Sequence, residues 1–123
     1  MFRYMIALKI MQIVKHTEIR KVTPTLSTTI WEYDTDDKTI SGGVAQINGR
    51  YPEKGFAVNG FKELVFVISG NGIIVTPTGR KNMNLGDEIL IDKNEKYAWE
   101  GSMTLFMATT PKFDPKKHKI TGK

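Results

Sequence analysis

Two stretches of the chain determine the expected fold: Phe61-Lys-Glu-Leu-Val-Phe-Val-Ile68 and Leu85-Gly-Asp-Glu-Ile-Leu-Ile-Asp92. The first is rich in β-branched and aromatic residues, which is typical of a β-strand. Because successive side chains of a strand point to opposite faces, Glu63, Val65 and Val67 are expected to share one face. The other face is also apolar, with Leu64, Phe66 and Ile68. Both faces of this strand are therefore expected to be covered.

Turn-forming residues recur along the rest of the chain about every 8–12 residues, a spacing typical of an all-β sandwich or barrel. The sequence Ser69-Gly-Asn-Gly72 predicts a tight hairpin, because Asn and Gly tolerate positive φ. Helix is expected only near the ends, for instance over 15–21. The predicted strands are 25–33, 44–51, 61–68, 73–76, 88–91, 96–100 and 103–109.

The composition indicates one globular domain, because 123 residues with 40% hydrophobic and 25% charged residues suffice for a single core. Without cysteine the chain has no disulfide, zinc finger, iron–sulfur cluster or catalytic thiol. No apolar run approaches the roughly 20 residues of a membrane helix. The absence of a secretion signal together with the absence of cysteine predicts a cytoplasmic protein. Met11 is an alternative start, and the first ten residues are interpreted as an over-called one.

Most of the net charge of +5 belongs to the two ends of the chain. The basic C-terminal tail, residues 111–123, carries five lysines and one acid, whereas the body between the two ends is close to neutral. A basic tail can bind nucleic acid or anionic lipid. The body lacks the stripe of basic and aromatic residues that nucleic-acid binding requires, so a solvated tail is expected and a nucleic-acid partner is not.

The two stretches together resemble those of the cupin superfamily, whose members are small double-stranded β-helix (jelly-roll) barrels. Six residues separate Glu63 from Gly70, as in the first block of that family, and Gly86-Asp87 resembles the opening of its second block. The resemblance covers about 41–109. It implies an all-β cupin barrel in a single domain, 1–123, with a barrel core at about 25–110 and extensions at both ends.

The resemblance also implies a metal site of three histidines and one glutamate, of which this chain keeps only Glu63. By their spacing from Glu63, the histidine positions fall at Ala57, Asn59 and Tyr97. Alanine offers no donor, and asparagine and neutral tyrosine are poor ligands for a borderline transition metal. We therefore expect no bound metal and no other cofactor.

In the register of the resemblance, Asn59, Glu63, Tyr97 and Trp99 line the barrel interior and form a site for a small molecule. Two interpretations of the pair Glu63 and Tyr97 stay open. They either satisfy each other inside a closed barrel, or act as a desolvated general base and its acid partner. Asn59 and Trp99 are candidate ligand-binding residues, although Trp99 also suits the core.

Five further residues are expected at the barrel mouth, at the surface or in the closing segment. Arg50 and Lys54 could clamp an anionic group at the barrel mouth, with an ordinary solvated loop as the alternative. The histidines His16 and His118 lie outside both blocks and are expected at the surface. Phe113 is expected to pack back onto the barrel as part of a closing segment.

The leading functional hypothesis is a metal-independent cupin-like protein that binds a small polar or anionic molecule in an accessory role. The alternative is a metal-independent sugar or small-molecule isomerase or epimerase that uses Glu63 and Tyr97 as base and acid. The residues do not decide between binder and enzyme. A second subunit or the N-terminal segment is expected to cover the outer apolar face of 61–68 and 103–109, and a homodimer is predicted on this ground.

Overall fold

The computed structural model describes residues 11–122. Within this range the chain forms nine β-strands and two one-turn 3₁₀ helices, His16–Glu18 and Pro115–Lys117. No helix in the described part of the chain is long and apolar enough to span a membrane. The strands, in chain order, are β1 (Arg20–Thr25), β2 (Thr28–Tyr33), β3 (Ser41–Tyr51), β4 (Phe56–Asn59), β5 (Lys62–Thr76), β6 (Gly79–Asn84), β7 (Glu88–Ile91), β8 (Lys96–Thr110) and β9 (His118–Thr121).

β8 is the central strand of one curled antiparallel sheet. It pairs with β3 along one edge and with β5 along the other, over almost its whole length. β2 and β1 continue the sheet beyond β3, whereas β6 and β7 pair with β5. β4 pairs with the start of β8 and, on its other side, with β9. The predicted all-β architecture is thereby confirmed.

The barrel interior is filled by the inward-facing side chains of β3, β5 and β8. Val65, Val67 and Leu105 are fully buried, and Ile47 is 1% exposed. On the opposite face of β5, Leu64 and its outward neighbours remain about two-fifths exposed. The predicted alternation along β5 is therefore confirmed, and an apolar outer face stays uncovered by residues 11–122.

The predicted hairpin at Ser69-Gly-Asn-Gly72 is wrong, because β5 continues through it as one strand. The pairing of β5 with β8 shifts between Val67 and Ser69, which marks a β-bulge rather than a turn. Gly70 has a φ of +79°, and a Cβ at this position would collide with the Ser102 carbonyl of β8. The glycine thus permits a bulge and a close approach of two strands.

The predicted interruption at Gly101 is wrong for the same reason. β8 runs through it with a φ of +130°, and a Cβ there would collide with the backbone of Asn71 and Gly72 on β5. Glycines at facing positions let both long strands bend around the barrel without separating.

The ends of the chain differ from expectation as well. Only His16–Glu18 is helical within the predicted 15–21, and β1 already begins at Arg20. Strands extend to Thr121, because β9 lies within the segment 111–123 and pairs with β4. The Phe113 ring packs edge-on against Phe61 at 5.5 Å between centroids, which confirms that this segment folds back on the barrel. The question of the start concerns residues 1–10, which lie outside the described residues.

Replacing Gly70 with alanine is expected to destabilise the protein by at least about 1 kcal/mol, because alanine is strained at positive φ and would collide with β8. Gly79→Ala is the matched control, since nothing lies within 4 Å of its Cβ position. Urea unfolding of both variants measures the difference. Equal stability of the two would contradict the bulge.

Candidate functional site

The barrel encloses a cavity of about 500 Å³. Its walls are mostly apolar, and one end of it is polar. The apolar walls include Val22, Pro24, Ile30, Ala45, Ile47, Trp99, Leu105, Met107 and Phe113. The polar end is formed by Tyr51, Asn59, Glu63, Tyr97 and His118. A cavity of this size with a few convergent polar groups is typical of a small-molecule site.

Glu63 is the central residue of the polar end. It points inward from the start of β5 and is 7% exposed. Its Oε1 accepts hydrogen bonds from Asn59 Nδ2 at 2.8 Å and from the Tyr97 hydroxyl at 3.3 Å. Its Oε2 has no hydrogen-bond partner among residues 11–122. In that range, only Thr28 Oγ1 is a side-chain oxygen that both lacks a hydrogen-bond partner and is inaccessible to solvent. Glu63 Oε2 also lacks a partner but is not inaccessible, so it can be reached from the cavity.

The sequence-predicted residues Asn59, Glu63, Tyr97 and Trp99 lie together in this cavity. β4 pairs with β8 at Ala57 and Tyr97, which places Asn59 close to Tyr97. Asn59 is 1% exposed, and its Nδ2 lies 3.1 Å from the Tyr97 oxygen. Trp99 is 3% exposed and meets the Tyr97 ring edge-on at 6.2 Å between centroids.

The prediction of a surface position for His118 is wrong, because the pairing of β9 with β4 places it opposite Asn59. His118 Nδ1 lies 2.7 Å from Asn59 Oδ1, and His118 Nε2 lies 2.6 Å from the Tyr51 hydroxyl. Since an amide oxygen only accepts, Nδ1 carries the proton and Nε2 accepts from Tyr51. Nothing local in the sequence marks His118 or Tyr51 as part of the site. His16 is exposed as expected, 3.1 Å from the Tyr33 hydroxyl.

Burial dominates the electrostatics of the polar end. It raises the pKa of Glu63, while the hydrogen bonds from Asn59 and Tyr97 partly oppose this rise. Burial, with the nearby Glu63 charge, raises the pKa of Tyr51 to about 12 and that of Tyr97 well above its usual value. Burial lowers the pKa of His118. Both phenols are therefore protonated at neutral pH, and the imidazole is neutral.

Arg50 and Lys54 do not line the cavity. Arg50 Nε donates to Glu100 Oε2 at 3.2 Å, and its guanidinium also donates to the Pro52 carbonyl oxygen at 2.7 Å. Lys54 is exposed on the loop between β3 and β4. The structure does not bring these two cations together with Glu63, and their predicted role in ligand binding stays a prediction.

No protein-family model and no curated protein matches the sequence. Solved structures do match the fold. Streptomyces Pac13, described as a unique nucleoside dehydratase, has a TM-score of 0.82 and 14% identity over 92% of both chains. Ectoine synthase from P. lautus has a TM-score of 0.70 and 17% identity over 89% of both chains. An RmlC-like cupin from Shewanella frigidimarina has a TM-score of 0.68 and 7% identity over 83% of this chain and 92% of its own.

The described residues thus form a small β-barrel whose cavity contains a buried carboxylate. These structural matches identify the barrel as a cupin fold. At identities of 7–17% the similarity establishes the fold alone.

The donor groups at the polar end do not fit a transition metal. Ala57 is fully buried and has no donor atom. The amide nitrogen of Asn59 donates a hydrogen bond to Glu63, so this side chain links its neighbours and does not act as a metal ligand. Residues 11–122 contain no group of three histidine, cysteine or acidic side chains arranged to hold a metal ion.

The raised pKa of Glu63 predicts a pH-dependent effect of Glu63→Gln on stability. The pKa of this carboxyl is higher in the folded than in the unfolded state. Its protonated form therefore stabilises the folded state, and this contribution is complete below the unfolded pKa. The contribution is lost as the pH rises through the folded pKa. Relative to the variant, the wild type is expected to lose stability between about pH 4 and about pH 8. Urea unfolding at both pH values measures this change.

Glu53→Gln is the matched control, because Glu53 is exposed on the loop between β3 and β4 and lies outside the cavity. Its unfolding free energy should follow that of the wild type across the same range. A constant offset between the wild type and Glu63→Gln would contradict the raised pKa.

Proposed function

We propose that this cupin-fold protein binds a small polar molecule inside the barrel, with the polar group of the ligand against Glu63. The observation that carries the proposal is Glu63 Oε2, a buried carboxylate oxygen without a partner in the described range, at the polar end of a cavity of about 500 Å³. Trp99 supplies an apolar wall beside it. Its ring meets Tyr97 edge-on and lines the same cavity, and an aromatic ring at this position suits a flat molecule.

The network at Asn59 gives this polar end a fixed geometry. Asn59 donates to Glu63 and accepts from His118, which in turn accepts from Tyr51. A ligand therefore meets oriented groups rather than mobile side chains, which reduces the entropy lost on binding.

A second candidate function is a metal-independent isomerase or epimerase. The specific observation that favours it is that burial raises the pKa of Glu63 towards the range of a general base, with the Tyr97 hydroxyl 3.3 Å from its Oε1. In this mechanism Glu63 Oε2 takes a proton from a carbon next to a carbonyl and returns it at another position or face. Tyr97 donates a hydrogen bond to the oxygen on which charge develops. The fold also occurs in a nucleoside dehydratase and an ectoine synthase.

Proton transfer can be tested without knowing the complete reaction. Aldoses, ketoses and 2-hydroxy ketones are incubated with the protein in D₂O, and loss of carbon-bound protons is followed by NMR. We expect exchange in at least one compound, slowed about 100-fold or more by Glu63→Gln, because the base is removed. The exposed Glu53→Gln should retain the wild-type rate. Binding without exchange would reject the isomerase and leave the binding function standing.

We also propose that a second copy of the chain covers the apolar outer face. This face is continuous, because Phe66 lies opposite Phe106 and Leu64 lies opposite Leu90 in the sheet. All four side chains are at least 41% exposed. Lys62 and Glu88 border the face with opposite charges, which a copy related by two-fold symmetry can pair.

Light scattering at tens of micromolar is expected to give the mass of a dimer. Phe66→Lys should shift the protein to a monomer, because a charge at the centre of the face would be buried without a partner. Leu26→Lys, at a fully exposed leucine between β1 and β2, is the control that should remain dimeric. A monomeric wild type would reject the dimer.

Two expectations about the surroundings of the protein stay predictions. These are the cytoplasmic location and the lack of a nucleic-acid partner. The C-terminal lysines differ in their contacts: Lys112 Nζ donates to the Thr35 carbonyl oxygen at 2.9 Å, while Lys116 and Lys117 are exposed.

A further inference from the structure

Glu63 is a buried carboxylate without a cationic partner. Its two hydrogen-bond donors, Asn59 and Tyr97, are both neutral groups. A buried acidic side chain is ordinarily paired with a cation or a metal, because burial removes the hydration of its charge. None of the ion pairs among residues 11–122 includes Glu63; they are Arg20–Glu32, Arg50–Glu100 and Arg80–Glu100.

The neighbouring histidine does not supply the missing charge. His118 Nε2 accepts the Tyr51 hydroxyl proton while Nδ1 donates to Asn59, so the hydrogen-bond pattern is that of a neutral imidazole. Protonation at Nε2 would displace the hydrogen of Tyr51. The protein itself therefore leaves the charge of Glu63 uncompensated.

The charged residues around the cavity add a net negative potential. Three carboxylates and two cationic side chains line the cavity. The carboxylates are Glu32, Asp34 and Glu63, and the cations are Arg20 and Lys112. Both cations are already engaged: Arg20 pairs with Glu32 at 3.7 Å, and Lys112 donates to a backbone carbonyl. An anionic ligand would find no unpaired cationic side chain beside Glu63 among the residues that line the cavity. The net negative potential instead attracts a positively charged group.

The rings around the cavity suit the same kind of ligand. Five aromatic side chains line it, namely Tyr51, Tyr97, Trp99, Phe113 and His118. The faces of Trp and Tyr rings attract a cation within about 6 Å, and the attraction is stronger when the cation is desolvated. An ammonium group also donates up to three hydrogen bonds, and Glu63 Oε2 is an acceptor without a partner in the described range.

We propose that the cavity takes an organic cation, with an ammonium head on Glu63 Oε2 and an apolar body against Trp99. This inference rests on the proposed binding function, because it names the ligand class of the same cavity. It also replaces the anionic ligand that the sequence left open. The ligand supplies the positive charge that no described side chain provides to Glu63. The charge of a ligand therefore determines its affinity as much as its shape does.

Matched compounds test this proposal. Benzylammonium, benzyl alcohol and benzoate share one body and differ in the charge of the head, and butylammonium, butanol and butyrate form a second series. Binding is followed through the indole N–H signals in ¹H–¹⁵N NMR spectra. Trp99 lines the cavity and Trp31 does not, so a ligand in the barrel shifts only the Trp99 signal. Trp31→Phe assigns the two signals.

We expect the ammonium compound of at least one series to bind about tenfold or more tightly than its neutral and anionic counterparts, equivalent to about 1.4 kcal/mol. Glu63→Gln should reduce this preference to twofold or less, because the carboxylate is lost while the shape is kept. Glu53→Gln removes an exposed carboxylate outside the cavity and should retain the preference.

The alternative outcomes separate the two proposals. If the alcohols or the carboxylates bind the wild type as tightly as the ammonium compounds, the cation inference is overturned while the binding function stands. The same holds if the preference for ammonium survives in Glu63→Gln. If no compound of either series shifts the Trp99 signal, both the cation inference and the proposed cavity function are contradicted.

Discussion

The antiparallel pairing of β5 with β8 is the constraint on which the rest of the molecule depends. These two strands of 15 residues stay paired from Lys62 and Thr110 at one end to Val75 and Ala98 at the other. To remain paired while the sheet closes on itself, both must bend, which is why glycines face each other across the pair. The bending also creates the site, because it turns the start of β5 and the start of β8 towards one interior.

The sequence predicted those features that depend on local pattern. The alternation of apolar side chains correctly placed Val65 and Val67 inside, and with them Glu63. It could not separate a turn from a bulge at Gly70, because both require a positive φ and glycine serves both equally well. The position of His118 could not be predicted from the sequence for another reason. Its position depends on the pairing of two strands almost 60 residues apart, which no local pattern encodes.

Asn59 explains how a barrel interior of this type is organised by hydrogen bonds. An imidazole at this position could offer one lone pair to a metal. The amide instead presents a donor to Glu63 and an acceptor to His118, so it joins an acid and an imidazole that would otherwise stand apart. The orientation of the amide follows from its neighbours, since an ionised carboxylate accepts only. The Asn59 side chain thus determines the tautomer of His118, and it contacts Oε1 of Glu63 rather than Oε2.

Glu63 is the residue at which stability and function conflict. Thr28 Oγ1 is also buried without a partner among residues 11–122, but it lies outside the cavity and carries no charge. Its burial costs about 1–3 kcal/mol, and no binding function is proposed for it. Glu63 carries a charge that burial disfavours, at the polar end of a space large enough for a ligand. A fold selected only for stability would place an apolar or amide side chain there. Such local conflicts concentrate where proteins act on ligands, and this conflict is the physical basis for proposing that a ligand binds at Glu63.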